Sequence, residues 1–151
     1  MKLRIEISPE ESEEIVIRCN ERTDDIKRIE KVIENLINAD AECILYIGET
    51  EYFVPYKKIL FFEASEGKIY AHTKDKILTA RTTLSRLEEA LPSYFVRGSK
   101  SCIINAMQVE AIAHNITGPS KVMFNGTQKS VYASRAYYKY LKDKILTIRG
   151  I

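Results

Sequence analysis

The chain has 151 residues, 45% of them apolar and 29% charged, a composition that fits one compact domain or two small ones and excludes fibrous and disordered chains. A formal net charge of only +2 hides a division: residues 1–52 carry 7 basic and 14 acidic side chains, a net of −7, and residues 53–151 carry 16 basic and 7 acidic, a net of +9. Residues 93–151 hold 9 Lys or Arg against Glu110 and Asp143 alone, so the rear of the chain suits a polyanion.

Charges at Lys2, Arg4 and Glu6 interrupt the apolar run that a signal peptide needs, and no stretch approaches the ~18 apolar residues of a membrane span. A cytoplasmic protein is expected. Alternation predicts two short strands, Lys2 to Ile7 and Glu14 to Cys19, joined by the turn Ser8-Pro9-Glu10-Glu11-Ser12. Ile26, Ile29, Val32, Ile33, Leu36 and Ile37 then recur at helical spacing, with Thr23 as a cap and Asp24 and Asp25 suited to the positive end of the dipole, so a helix is expected from about Asp24 to Ala39. A third strand follows at Cys43 to Ile47. Residues 1–51 thus read as a small acidic β-β-α-β unit, too small to bury much core alone, that packs on the rest of the chain or on a second copy.

After Tyr52 the texture changes to short strands: Ile59–Ala64, Lys68–Thr73, Lys76–Ala80, Tyr94–Val96, Ser101–Ile104, Val109–Ile116, Lys121–Phe124 and Gln128–Ala133. Ser65-Glu66-Gly67, Lys74-Asp75, Gly118-Pro119-Ser120 and Asn125-Gly126 separate them as turns, and Asn125-Gly126 is the strongest hairpin signal. Two helices interrupt the strands, Thr82 to Leu91, stopped by Pro92, and Ser134 to Leu146, with Ser134 as cap. The fold class expected is α+β, mostly β: the N-terminal unit, then a layered, mainly antiparallel sheet domain over residues 52–151.

Catalytic readings find little support in the sequence. His72 and His114 lack any ligand-spaced partner, and Cys19, Cys43 and Cys102 lie 24 and 59 residues apart, which gives neither a disulfide framework nor a metal clip. Ser65-Glu66-Gly67-Lys68 spells Ser-x-x-Lys but sits in a hairpin turn, not at a helix start. No phosphate-loop, dinucleotide or nucleophile-elbow fingerprint occurs, so neither an enzyme nor a cofactor is expected. Cations do better. Arg97-Gly98-Ser99-Lys100-Ser101 places two of them and two hydroxyls in five residues between predicted strands, where a loop can present them to phosphates or base edges. Ser134-Arg135 adds an Arg to the N–H groups of a helix start, and Lys68 follows the Glu66-Gly67 turn. Each alone also reads as solvated surface.

The order of these pieces resembles a LytTR-type DNA-binding domain. The resemblance runs from about Tyr52 to Leu146, two-thirds of the chain, and is carried by Ile59-Leu60-Phe61-Phe62-Glu63-Ala64, Thr83-Leu84-Ser85-Arg86-Leu87-Glu88, Tyr94-Phe95-Val96-Arg97-Gly98-Ser99-Lys100-Ser101-Cys102-Ile103-Ile104-Asn105, Val122-Met123-Phe124-Asn125-Gly126-Thr127 and Ala133-Ser134-Arg135-Ala136-Tyr137. It implies a stand-alone transcription regulator whose loops enter successive major grooves of a direct-repeat promoter site in double-stranded DNA. The DNA-contacting positions it implies are Glu66, Gly67, Lys68, Arg97, Ser99, Lys100, Ser101, Ser134 and Arg135. The chain departs at Ser99, where many members carry His, and at Ala136, where many carry a second Arg. The first fifty residues are too short for the phospho-receiver that members often carry, so phosphorylation control is not expected. They resemble instead the small unit of stand-alone regulators, which implies a homodimer or restraint by a membrane-bound inhibitor. Asn105 is expected to be structural, and Cys102 a buried, inert thiol. Two rivals stay open: a protein-interaction module whose acidic and basic faces pair between subunits without DNA, and a small-molecule sensor enzyme.

Overall fold

Thr23 opens the first helix as its residue type predicts. In a computed structural model of the chain, which describes residues 4–5, 9–10, 14–37 and 41–151, its hydroxyl accepts from the Ile26 amide at 3.4 Å and helix α1 runs over Asp24–Ile37. Asp24 and Asp25 pair with Lys27 and Arg28 one turn on. Ile26, Ile29 and Ile33 are half-buried, whereas Val32, Leu36 and Ile37 stay 40%, 69% and 67% exposed. The apolar stripe of α1 is therefore only partly covered.

The strand expected over Lys2 to Ile7 falls, Arg4 and Ile5 apart, outside the described residues. The one expected over Glu14 to Cys19 does not form: the segment has no regular structure, and Ile15, Val16 and Ile17 are exposed. Alternation sorts side chains onto two faces but supplies no neighbouring strand, and a strand without one has no ladder of hydrogen bonds to hold it.

From residue 41 onward the chain is mostly β. Strands β1 (Glu42–Ile47), β2 (Thr50–Pro55), β3 (Phe61–Ser65), β4 (Lys68–His72) and β5 (Ile77–Ala80) precede helix α2 (Leu84–Ala90); β6 (Phe95–Ser99), β7 (Cys102–Asn105), β8 (Val109–Ala113), β9 (Ser120–Phe124) and β10 (Ser130–Ala133) precede helix α3 (Arg135–Arg149). A seven-stranded sheet has the order β2-β1-β5-β4-β3-β7-β6 and a three-stranded sheet the order β10-β9-β8, with antiparallel pairing throughout. The α+β, mostly β class expected from the sequence is the one observed. Strand β2 is not foreseen by the charge break at Tyr52, and the predicted Cys43–Ile47 strand joins the large sheet, pairing with β2 and, at Tyr46, with β5.

Period-two alternation divides the core into two layers. Phe61 and Ile104 face the three-stranded sheet and α3, packing with Val122, Phe124, Leu141 and Ile145. Their neighbours Phe62 and Ile103 face the other way, against Leu45, Leu78 and Leu84, with Leu87 and Leu91 packed alongside. Thr83 caps α2 by accepting from the Arg86 amide at 3.2 Å. Asn105 is fully buried; its side-chain amide donates to the Ile59 carbonyl at 2.9 Å and its oxygen accepts from the Met107 amide at 3.0 Å. It is a structural bridge, as expected.

Candidate nucleic-acid interface

The sheet register brings two turns to one end of the molecule. β3 enters its turn as β7 leaves another, with Glu63 opposite Cys102, and the Ala64 amide donates to the Ser101 carbonyl at 2.8 Å. The β3–β4 turn is a two-residue hairpin loop in which Glu66 and Gly67 both take positive φ, 52° and 76°. That geometry matches the twist of the flanking strands and suits glycine at the second position. Glu66, Gly67 and Lys68 are all exposed.

The β6–β7 turn is built around a bulge between Arg97 and Ser99. Gly98 is the extra residue, and a side chain there would force its neighbours to shift, because a Cβ would run into Ile104 Cδ1 and lie 3.1 Å from Cys102 Sγ. Its carbonyl accepts from the Ser134 amide at 2.9 Å. This latch brings the start of α3 beside the turn, so the three predicted segments meet. Ser99 Oγ accepts from the Ser101 amide at 3.1 Å and lies 3.2 Å from Ser101 Oγ and from Cys102 Sγ. These hydroxyls stabilise the turn while Lys100 and Ser101 project into solvent. Cys102 is 2% exposed, and burial raises its thiol above the ordinary range, which accords with an inert thiol.

Arg97 lies within β6, not in the loop where the sequence suggested it. Alternation turns it toward α2, where Arg97 Nε is 3.4 Å from Glu88 Oε2 and its side chain is 15% exposed; Nη1 is buried with no partner. Ser134 occupies the N-cap position of α3 without a capping bond from its side chain. Its hydroxyl and the first N–H groups of a 15-residue helix are thus presented together with the exposed Arg135, and the helix dipole adds positive potential there. Among the described residues, Lys68, Lys100 and Arg135 form no ion pair.

Register adds two cations that the sequence reading did not single out. Ala80 is opposite Ile69, which places Arg81 beside Lys68; the Arg81 guanidinium stacks 3.7 Å from the centroid of Tyr46. Lys121 is opposite Tyr132, which precedes the Ser134 latch, and both are exposed. Only the strand pairing could have revealed them. The isolated histidines are absorbed structurally: His72 Nε2 is 2.7 Å from Glu63 Oε1 and its ring stacks on Phe61, and His114 stacks on Tyr138. Among the described residues no cluster of His, Cys, Asp or Glu could hold a metal ion, and no helix is long and apolar enough to cross a membrane.

A family model described as the LytTr DNA-binding domain matches residues 49–146. Proteins named uncharacterized HTH-type transcriptional regulators from two strains of Staphylococcus aureus, NCTC 8325 / PS 47 and COL, are each 24% identical over 146 residues, covering 96% of this chain and 98% of theirs. Despite that name, no two α-helices are consecutive among the described residues here; five strands separate α2 from α3. The solved LytTr DNA-binding domain of a methyl-accepting/DNA response regulator from Bacillus cereus superposes with a TM-score of 0.64 at 23% identity, over 70% of this chain and 96% of that one, which shows a common fold.

Proposed function

Because the chain belongs to the LytTR DNA-binding domain family, we propose that it is a transcription regulator that reads double-stranded promoter DNA with the turn-bearing end of the seven-stranded sheet. The convergence of the β3–β4 turn, the β6–β7 turn and the start of α3, each presenting an exposed cation with no ion-pair partner among the described residues, carries this reading. The S. aureus relatives, similar along almost their whole length, are themselves named transcriptional regulators. Lys100 and Ser101, at the tip of the β6–β7 turn, enter the major groove and read base edges, with Ser99 holding the turn. Lys68, beside Glu66 and Gly67, reaches phosphate. Ser134, Arg135 and the first amides of α3 hold a second phosphate. Arg97 acts from within the sheet, setting the bulge against Glu88. Two chains bind the two halves of a direct repeat, with no catalytic step. The acidic segment up to residue 51, β1 aside, serves self-association or regulation through the exposed Leu36 and Ile37 of α1, and a membrane-bound inhibitor is a candidate for restraint at that surface.

Selection of bound sequences from random duplex DNA, followed by gel shift on the winner and a scrambled control, tests the proposal. The expected result is a recurring motif repeated at about one helical turn, ~10 bp, and retardation of the winner at salt concentrations that free the control. Absence of any enriched motif, with retardation of neither duplex, would favour a module that pairs acidic and basic faces between subunits.

A further inference from the structure

Strand register sets two cations side by side where the fold gains nothing from the pair. Ile69 is opposite Ala80, and both are buried in the core layer that also holds Leu84 of α2. Their neighbours toward the turn-bearing end, Lys68 and Arg81, therefore stand on the other face of the sheet, next to each other and both exposed. Cross-strand neighbours lie about 5 Å apart, and like charges there destabilise a sheet. Glu49 offsets little of this repulsion: its carboxylate is 3.8 Å from Arg81 Nη2, beyond hydrogen-bond range, and its side chain is 99% exposed.

Arg81 is nevertheless held in place. Register aligns Tyr70, Thr79 and Tyr46 across three strands on the same face, and Arg81, two residues beyond Thr79, lays its guanidinium over the Tyr46 ring, 3.7 Å from the centroid. Stacking fixes this long side chain through the flat face of the guanidinium and leaves the in-plane N–H donors for an acceptor. An arginine fixed in this way beside a lysine is a preorganised fork for an anion with paired oxygens. The ring also holds the guanidinium against the sheet, at the end of a strand and not at the tip of a loop. Its acceptor must come to the sheet surface, as a backbone phosphate does and a base edge deep in a groove does not.

We propose that Arg81, positioned by the Tyr46 ring, binds a phosphate of the DNA backbone next to the one that Lys68 reaches, extending the contact with duplex DNA from the turns onto the β1–β5 side of the seven-stranded sheet. The contact rests on the DNA-binding reading above. Fluorescence anisotropy of the full chain with the selected duplex and a scrambled one, each over a range of salt concentrations, provides the test. Arg81→Gln should weaken both duplexes alike, about tenfold, and lower the salt slope by about one unit. Tyr46→Leu keeps the charge but removes the ring, and should weaken both duplexes about threefold with the slope nearly unchanged. Tyr46→Phe keeps the ring and should bind as the wild type does. Because Tyr46 acts through Arg81, the double variant Arg81→Gln/Tyr46→Leu should bind no more weakly than Arg81→Gln alone. Circular dichroism of each variant restricts the comparison to folded protein, and the Arg81→Gln result decides by itself if Tyr46→Leu does not fold. The proposal is overturned by wild-type affinity of Arg81→Gln, or by a loss of discrimination between the duplexes in that variant, which would make Arg81 a base reader. It is also overturned if Tyr46→Phe is as weak as Tyr46→Leu, or if the two single effects add in the double variant. A wild-type chain that binds neither duplex would refute the DNA-binding reading and this contact with it, whereas a wild-type chain that binds DNA and an Arg81→Gln variant that binds equally well would refute the contact alone.

Discussion

Replacing Gly98 by alanine should injure both stability and the DNA-facing end. The new methyl group meets Ile104 Cδ1 and lies 3.1 Å from Cys102 Sγ. Ile104 and Cys102 are 0% and 2% exposed, so neither can swing into solvent and the core itself must shift. Overpacking of this kind costs about 1–3 kcal/mol, and each kcal/mol lowers the melting temperature of a chain this size by ~2–4 °C. The Gly98 carbonyl also receives the Ser134 amide, so the same shift moves the first turn of α3 relative to Lys100. Urea unfolding should show a lower midpoint with an unchanged slope, and DNA affinity should fall under conditions where the variant is fully folded. Ile104→Val removes the offending Cδ1, so the double variant Gly98→Ala/Ile104→Val should be more stable than the sum of the two single effects. A wild-type midpoint for Gly98→Ala, or strict additivity in that cycle, would refute the close approach at the bulge.

Asn105→Ala strands the Ile59 carbonyl and the Met107 amide, so it should cost about 2–4 kcal/mol in urea unfolding while leaving the DNA affinity of the folded protein unchanged. A chain beginning at Ala41 should fold and keep its DNA sequence preference, with weaker binding if the N-terminal segment dimerises the protein. One beginning at Glu51 should melt at a much lower temperature, because it loses β1 and with it Leu45, 1% exposed in the second core layer. Iodoacetamide should alkylate the exposed Cys19 quickly and spare Cys102 until the protein unfolds, which mass mapping of a time course would show.

Elements with local signals were legible in the sequence. Thr23 caps its helix, and Asn125-Gly126 lies in the β9–β10 connection with Gly126 at φ 68°. What failed was non-local. Tyr52 and Val54 of β2 are half-buried, yet the change in charge nearby reads as a boundary, because composition does not report strand pairing. Ile59 and Leu60 are fully buried as a strand pattern suggests, but a 3-10 turn over Tyr56–Lys58 delays β3 to Phe61. The convergence of Lys68, Lys100 and Arg135 was anticipated from the order of motifs, whereas the withdrawal of Arg97 toward Glu88 depends on a bulge at Gly98 that only the fold displays. Arg81 and Lys121 were invisible for the same reason: their neighbours are set by register.

In the proposed complex the sheet end bearing Lys68 and Lys100 contacts DNA with divided roles. Affinity measured against salt, for the selected duplex and a scrambled one, with Lys68→Ala and Lys100→Ala, separates those roles. Lys100→Ala should lose about 1–3 kcal/mol of discrimination between the two duplexes. Lys68→Ala should weaken both alike and lower the salt slope by about one unit. A reversal of these two patterns would exchange the roles of the turns, and wild-type affinities for both variants would place the DNA interface elsewhere on the protein.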